Sequence, residues 1–147
     1  MMSLSAFVIP VFLDTNGDAN HMLRQWTRLY HYGHIYLPAL CITTCGLYAY
    51  VALSKRASGK RQWTQYVLAA LSTIAMVPFT WVAMTPTNDT LFRLEALGSI
   101  GIDTAEAELG YVRALVMKWA WLHVTRSFAP LIGAILGLYS LLQECNL

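Results

Sequence analysis

His123 and Arg126 stand three residues apart inside Trp119–Leu142, an apolar stretch long enough to cross a bilayer. A guanidinium near mid-membrane costs roughly 2.5–3.5 kcal/mol on insertion scales, so such a residue marks a functional site and needs a partner. An imidazole, with an unperturbed pKa of about 6.5, can take a proton from a reacting carbon, and desolvation favours its neutral form. A fixed cation or amide can hold the oxyanion that results, so these residue types in one place suit acid/base chemistry. His31 and His34, one helical turn apart, and Asn88, just beyond another apolar segment, are the other residues that can join them.

Elements must bring these residues to one level, and composition says which kind. The chain has 147 residues, 56% hydrophobic and 12% charged, where a soluble domain carries about 25% charged residues. A single integral membrane domain over residues 1–147 is expected. The net charge of +2 is small and its basic residues are dispersed, which argues against a nucleic-acid-binding face. Cys41, Cys45 and Cys145 make an odd set with neither a disulfide nor a zinc spacing, and read as packing residues. No basic n-region or small-residue cleavage site is visible at the N-terminus, so no cleavable signal is expected.

Hydropathy marks Leu4–Leu13, Tyr32–Leu53, Gln65–Met84 and Trp119–Leu142. The last three reach the ~20 residues needed to span ~30 Å of hydrocarbon, and the first falls short. The fold expected is an all-α four-helix transmembrane bundle with a short first helix. The loop Ser54–Arg61 holds four basic residues and no acid, which places it in the cytosol by the positive-inside rule. Asp14–His31 and Thr85–Lys118 then form connections on the far side, the second partly helical around Leu91–Ala96 and Thr104–Lys118. An endomembrane such as the endoplasmic reticulum is the expected location.

Helical periodicity groups the unusual residues. Trp119, His123, Arg126, Pro130, Gly133 and Gly137 follow steps of three and four, as do His31, His34, Pro38, Cys41, Cys45 and Tyr48. Both stripes are expected to face inward, with small residues at the cytosolic end and polar ones at the other. Pro10, Pro38, Pro78 and Pro130, one in each segment, free the carbonyls of Ala6, His34, Ile74 and Arg126. A polar, partly hydrated cavity is expected at that depth. Asn88-Asp89-Thr90 matches a glycosylation acceptor, but lies so close to the membrane that Asn88 reads as a pocket hydrogen-bonder.

Gln25-Trp26-Thr27-Arg28-Leu29-Tyr30-His31-Tyr32-Gly33-His34, Met76-Val77-Pro78-Phe79-Thr80-Trp81, Pro86-Thr87-Asn88 and Lys118-Trp119-Ala120-Trp121-Leu122-His123-Val124-Thr125-Arg126 occur in this order. In these blocks the chain resembles the fungal anthrone oxygenases, small membrane proteins of polyketide pathways, over essentially its whole length. The resemblance implies oxidation of an anthrone to an anthraquinone by O2 with no cofactor. It also leaves the first segment in question, because relatives carry a fuller one.

For such chemistry His123 or His34 is the candidate base, with His31 beside it. Arg126 and Asn88 are candidates to hold the oxygen, and Trp81 and Trp119 to stack on a flat polycyclic substrate. Trp26, Tyr32 and Asp14 complete the expected substrate-binding set. Lipid is the surrounding medium, and self-association into a homo-oligomer is left open. Three other readings stand beside this one. The same groups suit a cofactor-free cyclase or isomerase of a polyketide or meroterpenoid intermediate. His31, His34 and His123 could offer three nitrogens to iron or copper. A non-enzymatic lipid-binding subunit could use Arg126 for an anionic headgroup.

Overall fold

The computed structural model describes residues 4–100 and 108–145, and every element within them is helical. A five-residue π-helix, Leu4–Val8, leads into α1, Ile9–Thr15. α2 runs from Ala19 to Ala57, α3 from Trp63 to Ile74 and α4 from Met76 to Phe79. A second π-helix, Thr80–Met84, leads into α5, Thr85–Ser99, and α6 runs from Leu109 to Glu144. Three rods, Ala19–Ala57, Trp63–Ser99 and Leu109–Glu144, are long and apolar enough to cross a membrane. Large apolar side chains such as Leu40, Leu47, Leu71, Ile135 and Leu138 are exposed along them, so the chain is a membrane-associated helical protein.

The prolines explain where the helices change winding. Pro10 and Pro86 cannot donate to the carbonyls of Ala6 and Val82, and both carbonyls lie within π-helices. Pro78 leaves Ile74 without its usual donor, and Ile74 is the residue at which α3 stops. α2 and α6 continue through Pro38 and Pro130.

Two expected connections are instead mostly helix. Only Asn16–Asp18 separates α1 from α2, so Asp14–His31 is largely the first three turns of a long helix. Asp18 starts it, accepting the backbone N–H of His21 at 2.7 Å, an N-cap that supplies a partner to an otherwise orphaned donor. Thr85–Lys118 begins with α5 as a direct continuation of the preceding segment. Its second helix is described from Leu109 and passes unbroken into the last span, while Asp103, Glu106 and the first residues of Thr104–Lys118 lie outside the described residues. At the other end of α2, Gly59 takes φ 68. Lys60 N–H then reaches Lys55 C=O at 3.0 Å and Gly59 N–H reaches Arg56 C=O at 3.1 Å, the paired bonds of a Schellman cap.

The chain divides into two compact units, Met1–Ile35 with Phe79–Thr125, and Tyr36–Pro78 with Arg126–Leu147. The first encloses Ile9, Phe12, Met22, Leu23, Trp26, Met84, Leu91, Leu94, Val112, Val116 and Trp119. The second is held by close approach. Cys41 Sγ donates to Thr73 C=O at 3.3 Å, Ser72 Oγ to Ala129 C=O at 2.8 Å, and Gly133 lies against Thr73 and the Ala69 carbonyl. Lys55 and Glu144 form an ion pair at its end, and Gln65 donates to Gln143 at 3.2 Å.

Candidate active site

His123 is an imidazole only 1% exposed, on the buried stripe of α6 that includes Val112, Val116, Trp119 and Ser127. Steps of four and three keep those residues on one side of an uninterrupted helix. The Trp119 ring lies 5.1 Å from the imidazole at 39°, and meets Trp26 edge-on at 6.1 Å and 88°. Phe92 packs edge-on against Trp26 at 5.0 Å. Histidine and indoles thus share one enclosed aromatic wall within the first unit.

The N-terminal segment completes that wall. Ser5 Oγ lies 3.4 Å from His123 Nδ1. Arg113, ten residues earlier on α6, donates through Nη2 to the carbonyls of Leu13 at 3.2 Å and Asn16 at 3.0 Å. Asn16 in turn donates to Phe12 C=O at 2.7 Å and Gln25 Oε1 at 3.0 Å. A cation at a helix C-terminus partners its last carbonyls and complements its dipole.

Asn88 is buried on α5, on the face that also carries Thr87, Leu91 and Leu94. Asn88 Oδ1, Thr87 Oγ1 and the indole nitrogens of Trp26 and Trp119 are buried and have no hydrogen-bond partner among the described residues. A buried polar atom left so costs about 1–3 kcal/mol. All four residues belong to the first unit.

The structure treats the expected set unevenly. His123, Trp119, Trp26 and Asn88 are buried in the first unit. Arg126 is half-buried, one turn beyond His123 on α6, and belongs to the second unit. His31 and His34 are exposed, contrary to the inward stripe expected of α2. The inward face of that helix is set by Ala19, Met22, Leu23 and Trp26, and at 100° per residue His31 stands roughly 140° and His34 roughly 80° from Trp26. His34 stacks on Tyr30 at 5.4 Å and His31 lies 5.4 Å from His34, so the pair borders the wall from outside. Cys41, further along the same expected stripe, is buried.

Tyr32 at 63% and Trp81 at 73% are exposed, as is Asp14. Trp81 lies in the π-helix Thr80–Met84, whose buried residue is Met84. Among the described residues no group of three or more His, Cys, Asp or Glu side chains is placed to hold a metal ion. Ser5 and Arg113 were missed by sequence reasoning. Only the face that carries Ser5 was legible, since Ser5, Ile9, Phe12 and Asn16 follow steps of four, three and four; no spacing marks its contact with His123 or the role of Arg113.

The family model described as anthrone oxygenase matches residues 26–136, which include Trp26, Asn88, Trp119 and His123. The chain is 61% identical to the anthrone oxygenase nsrD of Aspergillus novofumigatus, over 98% of this chain and 85% of that one. It is 53% identical to the anthrone oxygenase dmxR16 of a Cryptosporiopsis species, over 98% and 78%, and 38% identical to an anthrone oxygenase of Emericella nidulans, over 93% and 86%. No solved structure matches it. With a family match over most of its length and relatives this similar over nearly all of it, the chain belongs to the anthrone oxygenase family.

Proposed function

We propose that the protein oxidises an anthrone to an anthraquinone with O2 in fungal polyketide metabolism, needs no metal or organic cofactor, and uses His123 as its base. The observation that supports His123 is its burial against Trp119, which puts a proton acceptor on an aromatic wall. An anthrone carries a CH2 opposite a carbonyl, between two aryl rings. Loss of one of those protons makes the central ring aromatic and leaves the charge on oxygen. The anion gives one electron to O2, and the carbon radical and superoxide recombine to form a C–O bond. The peroxide takes back a proton, and the hydroperoxide loses water to give the second carbonyl. One anthrone and one O2 thus give one anthraquinone and one water.

The chain's task is to take the proton, hold the oxyanion and seat the rings. The Trp26 and Trp119 indole N–H groups are donors for an oxyanion, and Asn88 Oδ1 is an acceptor for a ring hydroxyl. The basic loop Ser54–Arg61 supports an orientation with that loop in the cytosol, in an endoplasmic-reticulum or related endomembrane.

The test uses detergent-purified protein freed of metals by chelation, with an anthrone, an oxygen electrode and quinone absorbance. One O2 consumed per quinone, at a rate above that of buffer, is expected, and His123→Ala should lower that rate by about 10²- to 10⁴-fold. Equal rates with and without protein would overturn the proposal. Conversion under argon would replace it with a cyclase or isomerase.

A further inference from the structure

We propose that Ser5 is a positioning residue for His123, delivered by a two-point clasp between the N-terminal segment and α6. The proposal rests on the reading of His123 as the base. Ser5 meets His123 at one end, and Leu13 and Asn16 meet Arg113 at the other. The two segments therefore run antiparallel. The spacings agree: eight to eleven residues separate Ser5 from Leu13 and Asn16, and ten separate Arg113 from His123. At about 1.5 Å per residue these are roughly 12–16 Å and 15 Å.

Between the two ends, Ile9 and Phe12 lie in the same buried cluster as Val112, Val116 and Trp119. The register is thus fixed by packing as well as by hydrogen bonds. Sliding the N-terminal segment by one residue would turn its buried face by about 100° and carry Ser5 away from the imidazole.

The chemical consequence concerns the tautomer. When His123 Nδ1–H donates to Ser5 Oγ, the lone pair that accepts a proton is on Nε2, and the ring is held against rotation. Ser5 touches the base and not the reacting carbon. Its loss should therefore slow turnover without weakening substrate binding.

The experiment compares Ser5→Ala, Ser5→Thr, His123→Ala and the Ser5→Ala/His123→Ala double variant as full-length protein in detergent. Ser5→Ala is expected to lower kcat about 10- to 100-fold, the scale of a misplaced reacting group, with KM within about twofold. Ser5→Thr keeps the hydroxyl and should restore most of the rate. The double variant should match His123→Ala alone, because the two residues act as one unit. A parental kcat in Ser5→Ala, an equal loss in Ser5→Thr, or losses that multiply in the double variant would overturn the positioning role while leaving the base in place. Full activity in His123→Ala would overturn the base assignment and this proposal with it. Should Ser5→Ala fail to accumulate as folded protein, Ser5→Cys keeps the volume with a poor hydrogen-bonding group, and a parental kcat there overturns the role as well.

Discussion

At the scale of single residues, burial separates the histidines. His123 is enclosed beside Trp119, whereas His31 and His34 are exposed. A general base contributes about 10²- to 10⁴-fold, so His123→Ala should lose activity on that scale while His31→Ala and His34→Ala stay within about twofold of the parent. Initial rates of quinone formation decide this. Asn88 gives a second contrast, since its Oδ1 is buried and unpartnered among the described residues. Asn88→Leu, similar in size and apolar, removes that unsatisfied atom and should keep or raise the thermal midpoint. If Asn88 binds a substrate oxygen, the same variant loses one hydrogen bond and about tenfold in kcat/KM. A lowered midpoint with unchanged kcat/KM would make Asn88 a structural residue.

At the scale of elements, the helices' phases and close contacts carry the specificity. On α6, the expected stripe is buried at Trp119, His123, Gly133 and Gly137 and half-buried at Arg126 and Pro130, because that helix runs without interruption and local periodicity is preserved. On α2, hydropathy marks the span only from Tyr32, yet the helix begins at Ala19 and its phase is set by the face around Trp26. The misplaced histidines follow from that unseen first section. In the second unit, a methyl group on Gly133 would meet the Ala69 carbonyl as well as Thr73 Oγ1, while one on Gly137 would meet the Tyr48 ring. Backbone cannot turn aside as a side chain can. Gly133→Ala should therefore destabilise by about 1–3 kcal/mol, and Gly137→Ala by less. Thermal unfolding in detergent followed by circular dichroism measures the order of the two. Arg113→Met should also lower stability, by about 1.5–3 kcal/mol per charged hydrogen bond lost, because it leaves the Leu13 and Asn16 carbonyls without that donor.

At the scale of the whole molecule, the ion pair of Lys55 with Glu144 puts the end of α6 beside the end of α2 and its basic loop. The two helix ends therefore lie together within the second unit. In a Cys145→Ser background, Ser58→Cys should react with a membrane-impermeant maleimide when the cytosolic face of sealed microsomes is exposed, and labelling only after permeabilisation would reverse the orientation. Much of this protein follows from the chain itself. Low charge, three long apolar runs and a proline at each change of helical winding require no knowledge of neighbours, since each acts through solvation or through hydrogen bonds within a turn or two. Tertiary structure decided which face of α2 is buried and that Ser5 meets His123. That contact joins residues 118 positions apart, and no local period encodes it: it exists because apolar stripes on two antiparallel segments bury each other in one register, and the clasp at Arg113 fixes that register.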